Sequence, residues 1–392
     1  MKKVIVVLTL LLFCAAVLLA YFELSKPTYK ATVILMKNLA LKEDIRRPAV
    51  VFIPGVMGTD LFKENSRRIW PPDVMSVALD FAQNYLDTSG NSANLHVKPG
   101  LPLQNVYGEI YEYLEKQGYN VYYFGYDWRL DNTINAKLFG QFIDSLPAEK
   151  VSVVAHSMGG LVTTEYLRHT SSKKVEKFIA IGTPFLGAPG ALKDLEMGTF
   201  LGNGLVGQIS RPFFKKLLRN ESSWYQLLPG KKSFDLGATT YIEKILVKGN
   251  ESTTVTLGNF NETEAFLRSR PFINKALLDS GIRFTDNLDL PGTLKKTDTY
   301  FIAGINRPTI TKLNYFFHAK GTREIFDKVL YETSSRGDGS VSVSSATLGG
   351  SAENMFPGHV FYFDELHGLL PANGAVLEKI DSILKGIPAT GN

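Results

Sequence analysis

Short apolar runs alternate with amphipathic stretches along most of this chain. Runs of this length, rich in β-branched residues, predict buried strands, and the amphipathic stretches predict helices. Strands that alternate with helices form a mostly parallel sheet with helices on both faces, so the sequence predicts an α/β fold. The predicted strands are Ala49–Ile53, 120–124, 151–154, 178–181, 300–303 and 360–363, and the clearest predicted helices are 105–117 and 375–384.

Residues 192–297 interrupt this alternation. They separate two predicted core strands, and a connection of that length is too long to be a plain loop. We interpret the segment as a cap insertion over the rest of the fold. The predicted organisation is therefore a leader at 1–24, a core of 25–191 and 298–392, and the cap insertion at 192–297.

The most informative motif lies at the end of the strand 151–154. Ser157 is flanked at minus two and plus two by the small residues Ala155 and Gly159, and a helix pattern begins at Leu161. A serine on a sharp strand-to-helix turn is the nucleophile elbow of α/β-hydrolases, here with alanine in place of the first glycine. The sequence thus predicts an α/β-hydrolase fold with Ser157 as nucleophile; the alternative is a buried turn serine.

A nucleophilic serine requires a base and an acid, which follow it in this order: serine, acid, histidine. His367 falls in the loop after the last predicted strand and is the favoured base, whereas His359 begins that strand and is favoured as a structural residue. Asp338 stands in a glycine-flanked turn and is the favoured acid. Asp327 and Asp364 remain alternatives for the acid.

The oxyanion hole of this fold uses two backbone N–H groups. The sequence predicts that they come from Met158, which follows the serine, and from Val56 in the loop 54–58. No cofactor and no metal site is predicted, because the six histidines are scattered without ligand spacing. The Gly-x-Gly-x-x-Gly pattern at 202–207 lacks a preceding strand, and we interpret it as a flexible loop.

Composition supports a large globular protein, with 44% hydrophobic and 21% charged residues. The net charge of +5 is mild, and no basic stripe with interleaved aromatic residues is present. These observations exclude nucleic acid as an expected partner.

The N-terminus predicts export. Lys2 and Lys3 precede an uncharged apolar run at 4–22, which indicates a signal peptide or an N-terminal membrane anchor. The only cysteine, Cys14, lies inside this run, so the exported part has no disulfide. An exported chain without disulfides favours a bacterial cell envelope.

Several motifs together resemble the lecithin:cholesterol acyltransferase family, which includes the lysosomal phospholipase A2 group. They stand in the family's order: Ile-Pro-Gly-Val-Met-Gly-Thr-Asp-Leu at 53–61, Tyr-Asp-Trp-Arg at 126–129, Ala-His-Ser-Met-Gly-Gly at 155–160, Gly-Thr-Pro at 182–184 and Gly-Asp-Gly-Ser-Val at 337–341. The resemblance implies a catalytic triad of Ser157, Asp338 and His367 and acyl-ester lipids as substrates. Animal members also carry a disulfide-closed membrane-binding subdomain after the first motif. This chain has no cysteine there, and the region 62–101 is the candidate lipid-interacting substitute.

The segment Tyr126, Asp127, Trp128 and Arg129 has two interpretations. A Trp-Arg pair beside a carboxylate either locks a loop through a buried ion pair and stacking, or contacts substrate directly. Locking is favoured on residue chemistry alone.

Two apolar segments also have two interpretations, as a surface that docks on an anionic bilayer or as packing of the cap onto the core. Their apolar residues are Trp70, Val74, Val77, Leu79, Phe81, Phe213, Phe214, Leu217 and Leu218, and the second segment also carries Lys215, Lys216 and Arg219.

These observations predict a lipolytic serine acyl hydrolase or O-acyltransferase that acts on acyl-ester lipids through an acyl-enzyme on Ser157. The expected partners are the lipid substrate and a membrane surface. The alternatives are an exported amidase or peptidase, and a non-catalytic envelope binding protein on a hydrolase scaffold.

Overall fold

A computed structural model describes residues 46–63, 67–71, 84–90, 97–199, 205–237, 240–320 and 323–387. The predicted leader and much of the region 62–101 lie outside these residues. The described strands are β1 (Ala49–Ile53), β2 (Thr59–Lys63), β3 (Arg68–Trp70), β4 (Val97–Pro102), β5 (Asn120–Tyr123), β6 (Val151–His156), β7 (Val175–Ile181), β8 (Ile242–Lys248), β9 (Glu251–Thr256), β10 (Asp298–Gly304), β11 (Thr309–Lys320), β12 (Arg323–Ser334) and β13 (Val360–Phe363).

The described helices follow the same chain order. They are α1 (Gln104–Lys116), α2 (Asn132–Ser145), α3 (Met158–His169), α4 (Pro189–Met197), α5 (Leu205–Leu218), α6 (Ser222–Tyr225), α7 (Lys231–Asp235), α8 (Phe260–Ser269), α9 (Lys275–Asn287), α10 (Leu290–Leu294), α11 (Val343–Ala346), α12 (Ala352–Met355) and α13 (Gly374–Leu384). None of the helices in the described residues is long and apolar enough to cross a membrane.

The central layer is a six-stranded sheet in the order β13-β10-β7-β6-β1-β5. Each pair of neighbours in it is parallel. The predicted α/β-hydrolase fold is therefore confirmed, and each of the six predicted core strands is present.

Burial on both faces explains why these strands read as continuous apolar runs. All five residues of β1 are buried. Val50 and Phe52 belong to one hydrophobic cluster and Val51 and Ile53 to the other, as expected for side chains that alternate between the faces of a strand. Helices cover both clusters, so no face of the central strands meets water.

The parallel direction brings four loops to one edge of the sheet. The carboxyl ends of β1, β6, β10 and β13 lead into the loop 54–58, Ser157, residues 305–308 and the turn that contains His367. In open α/β sheets ligands bind at this edge.

A second sheet, in the order β12-β11-β8-β9, lies partly outside the predicted cap. β8 and β9 belong to the insertion 192–297, but β11 and β12 form a hairpin in the range that the sequence assigned to the core. β11 pairs in parallel with β8, from Leu313 opposite Ile242 onward. The hairpin therefore extends the sheet of the insertion and does not join the central sheet.

A third, antiparallel sheet of β3, β2 and β4 includes part of the described residues of 62–101, and the described residues 84–90 form no strand. Trp70 is buried here, donates its ring N–H to Met57 O at 2.8 Å, and packs edge-on against Trp128 with ring centroids 5.2 Å apart. Trp70 is thus a core residue and is not available to a bilayer. Val74, Val77, Leu79 and Phe81 lie outside the described residues.

The burial of apolar residues on helix α5 also supports packing of the cap onto the core over lipid docking. Phe214, Leu217 and Leu218 are at most 1% exposed and belong to the large core cluster, while Phe213 is half-buried against it. The part of the Gly-x-Gly-x-x-Gly pattern that is described, from Leu205 onward, is helical, so our interpretation of it as a loop is wrong there.

Candidate active site

The turn at Ser157 has a strained backbone. Its φ of 54° and ψ of −126° lie where a non-glycine residue is rarely found. Ser157 N–H donates to Ile181 O at 2.8 Å, which ties the turn to the end of β7. Such strain persists only when the surroundings fix it, and here it places the side chain between the loops of the carboxyl edge.

Close backbone approaches around the turn explain its small residues. A Cβ on Gly159 would lie 2.5 Å from Pro54 O, and one on Gly55 would lie 2.9 Å from Ser157 Cβ. Contacts this short do not occur for real side chains, so both positions require glycine. The steric reason inferred from the motif is confirmed for Gly159.

The structure brings the three predicted triad residues together. Ser157 Oγ lies 2.9 Å from His367 Nε2, and Asp338 Oδ2 lies 2.7 Å from His367 Nδ1. The exposed fraction of the side chain is 15% for His367 and 1% for Asp338. An Nδ1–H donated to the carboxylate leaves Nε2 free to accept the serine proton, which is the arrangement of a nucleophile, a base and an orienting acid.

Asp338 is held by its own turn. Its Oδ1 accepts the N–H groups of Ser340 at 2.9 Å and Val341 at 2.7 Å, and its backbone oxygen accepts His367 N–H at 2.8 Å. The turn and the base loop are therefore joined by backbone as well as by side chain.

The hairpin of β11 and β12 separates Asp338 from the end of β10 in the sequence. β11 and β12 lie between β10 and Asp338, and the chain returns where Arg307 N–H donates to Gly337 O at 2.9 Å. The sequence placed Asp338 on the loop after the strand 300–303, without predicting this excursion.

The alternative residues lie elsewhere. His359 donates its Nδ1–H to Thr299 O at 3.0 Å, at the amino end of β10, and its ring stacks on Tyr300 with centroids 4.1 Å apart. Asp327 pairs with His318 on the hairpin, and Asp364 pairs with Arg307. The partners of these three alternatives are therefore residues other than Ser157 and His367.

The predicted oxyanion donors flank the serine. Met158 is the first residue of α3, so its N–H has no partner within the helix. Val56 follows Gly55, whose Cβ position is 3.4 Å from Ser157 Oγ. The loop is closed by a hydrogen bond from Gly58 N–H to Gly55 O at 3.1 Å.

The Tyr126–Arg129 segment makes its contacts inside the protein. Asp127 and Arg129 form a two-pronged ion pair at 2.8 and 2.7 Å, and Trp128 donates its ring N–H to Thr59 O at 3.2 Å. Tyr126 donates its hydroxyl to Pro54 O at 2.9 Å. These contacts fit the locking interpretation, and the tyrosine supports the loop that carries Val56.

A buried carboxyl group adjoins this ion pair. Glu221, the residue that precedes α6, is 0% exposed, and neither of its oxygens has a hydrogen-bond partner in the described structure. Burial raises its pKa to about 8, although the Arg129 guanidinium lowers the pKa and Asp127 raises it. At pH 7 the Glu221 carboxyl is therefore mostly protonated beside the Asp127–Arg129 pair.

Sequence reasoning missed three residues of this site. Gly182 has a φ of 55°, and a Cβ there would lie 3.0 Å from His367 Nδ1 and 3.1 Å from Asp338 Oδ2. The Gly-Thr-Pro motif was a signal for it. His156 was visible inside the elbow motif, whereas nothing local marked Tyr107, which contacts His156.

No group of three or more histidine, cysteine, aspartate or glutamate side chains in the described ranges is arranged to hold a metal ion.

Comparison with known proteins adds the family. The sequence model of the lecithin:cholesterol acyltransferase family matches residues 81–337, which is more than half of the chain. This chain belongs to that family.

Two curated relatives come from Arabidopsis thaliana. Phospholipase A(1) LCAT3 is 27% identical over 170 residues, which cover 41% of this chain and 37% of the relative. Lecithin-cholesterol acyltransferase-like 4 is 36% identical over 85 residues, covering 19% and 16%. The alignments thus span well under half of either relative.

Among solved structures, a chain of the Tle4–Tli4 complex superposes with a TM-score of 0.55 at 15% identity. The match covers 87% of this chain and 99% of that chain. At this identity the likeness shows a shared fold.

Gly182→Ala tests the close approach at the triad. The new Cβ would lie 3.0 and 3.1 Å from the His367 and Asp338 side chains, so the pair must shift by a fraction of an ångström, and the positive φ adds strain. A shift of about 1 Å costs roughly 100-fold in rate, so for this smaller shift we expect the rate of Ser157 labelling by a fluorophosphonate to fall by about tenfold. Gly190→Ala is the control, because its Cβ would meet nothing within 4 Å. Labelling of Gly182→Ala at the wild-type rate would contradict the argument.

Glu221→Gln tests the buried carboxyl. Folding raises the pKa of Glu221 from its ordinary 4.5 to about 8. The folded state therefore holds a proton that the unfolded state releases, and the free energy of unfolding falls by about 1.4 kcal/mol per pH unit as pH rises through this window. We expect urea denaturation at pH 6 and pH 8 to show a smaller loss for Glu221→Gln than for wild type. The exposed Glu149→Gln serves as control, and equal losses in wild type and Glu221→Gln would refute the assignment.

Proposed function

We propose that this protein is a lipolytic serine acyl hydrolase, with O-acyltransferase activity toward acceptor alcohols, that works through an acyl-enzyme on Ser157. The observation that carries the proposal is the continuous hydrogen-bond chain from Ser157 Oγ through His367 to Asp338, at 2.9 and 2.7 Å. Membership of the lecithin:cholesterol acyltransferase family supports the choice of an ester substrate.

In the first half of the reaction, Ser157 Oγ attacks the carbonyl carbon of the ester while His367 Nε2 takes the hydroxyl proton. Asp338 stabilises the imidazolium through its bond to Nδ1. The carbonyl oxygen becomes an oxyanion and accepts the N–H groups of Met158 and Val56. The C–O bond to the leaving alcohol then breaks, His367 gives that alcohol its proton, and the acyl group stays on Ser157.

In the second half, water or an acceptor alcohol attacks the acyl-enzyme. His367 removes its proton and returns one to Ser157 Oγ as the new acid or ester leaves. Hydrolysis and acyl transfer therefore differ only in which hydroxyl reaches the acyl carbon. The same residues would serve an amidase, for which the leaving group is an amine.

Exposed apolar residues beside the base support a lipid substrate. Leu366 and Leu369, on either side of His367 in the chain, are 47% and 51% exposed. Exposed leucines next to a reactive centre offer apolar contact to an acyl chain or to the surface of aggregated lipid. The two leucines, here called the rim leucines, are the part of the site that we assign to lipid.

Export to the cell envelope and contact with a membrane surface remain part of the proposal, supported by the apolar run at 4–22.

Replacement of the triad residues tests the chemistry. Ser157→Ala should lower kcat by about a millionfold, and His367→Ala by a similar factor, because triad members act as a unit. Asp338→Asn should cost about 10⁴-fold. Rates are measured with a p-nitrophenyl ester, and products from mixed phospholipid and neutral-ester liposomes are identified by mass spectrometry.

His359→Ala is the matched control, because it removes a histidine at the opposite edge of the sheet. It should lower the melting temperature and keep kcat within about threefold. Unchanged turnover by Ser157→Ala would end the proposal, and loss of activity in a folded His359→Ala but not in His367→Ala would move the base.

Leu366→Ser combined with Leu369→Ser tests the lipid assignment. Burial of a leucine side chain stabilises a complex by about 1.5–3 kcal/mol, so hydrolysis of long-chain liposomes should fall at least tenfold. Hydrolysis of a short soluble ester should persist, because the triad is untouched. Ile387→Ser removes an equally exposed side chain, at 54%, beyond α13 near the amino edge of the sheet. Equal loss on both substrates would remove the rim leucines from the lipid site.

A further inference from the structure

His156, the residue before the nucleophile, is buried and has both ring nitrogens engaged. Its Nε2 lies 3.0 Å from the backbone oxygen of His367, and its Nδ1 lies 3.0 Å from the hydroxyl of Tyr107. The rings of His156 and His367 pack with centroids 4.7 Å apart. A second histidine therefore touches the base without touching Ser157 Oγ.

The chemistry of the partners fixes the direction of every hydrogen bond. A carbonyl oxygen only accepts, so His156 Nε2 carries the hydrogen, and in a neutral imidazole Nδ1 then presents a lone pair. Tyr107 must then donate its hydroxyl to Nδ1. The hydroxyl oxygen in turn accepts Gly55 N–H at 3.0 Å. The bonds thus run in one direction from Gly55 through Tyr107 and His156 to His367.

Burial keeps this arrangement in one protonation state. It lowers the pKa of His156 well below the usual value, and the nearby His367 lowers the pKa further. Burial also raises the pKa of Tyr107 above its usual value. Burial therefore favours the neutral imidazole and the neutral phenol, and in these forms Tyr107 donates to His156 Nδ1.

This series of hydrogen bonds ends at Gly55 and at His367, and both residues must be held close to Ser157. Gly55 precedes Val56, the oxyanion donor, and is in contact with Ser157. The other end is the peptide of His367, whose N–H is already fixed by Asp338 O at 2.8 Å. With His156 on its carbonyl, the backbone of the base is bound on both sides.

We propose that Tyr107 and His156 are positioning residues that hold the oxyanion loop and the base in place around Ser157. This inference rests on the proposed serine-hydrolase function. We call the hydrogen-bonded series Gly55–Tyr107–His156–His367 the relay. The relay sets the geometry of the reacting groups and does not contact substrate, so its loss lowers kcat and leaves KM nearly unchanged.

Tyr107→Phe tests the relay by removing one hydroxyl. The phenyl ring keeps its packing against Phe52, with centroids now 5.0 Å apart. We expect kcat for a short soluble ester and the rate of fluorophosphonate labelling each to fall at least tenfold, with KM within twofold. Tyr111→Phe is the matched control, a buried tyrosine one turn further along α1, and should keep both rates within twofold.

His156 supplies a second, independent test by rescue. His156→Leu removes both hydrogen bonds and should lower kcat at least as much as Tyr107→Phe. His156→Gln keeps one donor and one acceptor and should recover part of the lost rate. A purely structural role would not distinguish the polar from the apolar replacement at a temperature well below both melting midpoints.

The outcomes separate the two proposals. If wild type is not labelled, or Ser157→Ala is still active, the serine-hydrolase proposal fails. If wild type is labelled but Tyr107→Phe and His156→Leu react as fast as Tyr111→Phe, the relay is refuted. A rise in KM with unchanged kcat would also overturn it, because the residues would then act on substrate binding.

Discussion

The close approach of backbone segments around Ser157 is the constraint on which the rest of the site depends. The turn has a positive φ of 54°, and neighbouring strands must fix it because it is unfavourable alone. The glycines at 55 and 159 let the loop after β1 and the start of α3 approach within contact distance, and Gly182 does the same for the base and acid. Each approach leaves no room for a side chain, so Ser157, the loop 54–58 and the His367–Asp338 pair are positioned by the same close contacts.

Buried polar groups also help to position the site, and they lie where the core meets the insertion. The Asp127–Arg129 pair fixes the loop after β5, and Glu221, the residue that precedes α6, lies beside it. A neutral Glu221 avoids the cost of placing a second charge in this environment. Tyr126 carries the same support to Pro54 through its hydroxyl. A residue of the insertion thus lies beside the segment that supports the loop 54–58.

Local patterns made the central strands and the elbow predictable, because burial on both faces gives continuous apolar runs and a sharp turn demands small residues. Pairings between distant segments were not predictable. β11 lies about 70 positions after β8 in the chain, and neither strand carries a sequence pattern that identifies the strand it pairs with. Amphipathic spacing at 213–218 suits a bilayer and a protein core equally, and only the structure shows Phe214 buried. The proposed role of Tyr107 depends on a single hydroxyl group, and a single group produces no repeating pattern in the sequence.

The hairpin that separates β10 from Asp338 affects how this fold can change. Its base is closed by Arg307 and Gly337, so the acid's position is set at the stem, independent of how far β11 and β12 extend. The length of the hairpin can therefore change without moving Asp338 relative to His367. The insertion cannot be excised alone, however, because removal of β8 would leave one side of β11 as a bare strand edge. Unpaired edges promote aggregation, so the two segments form one structural unit despite their separation in sequence.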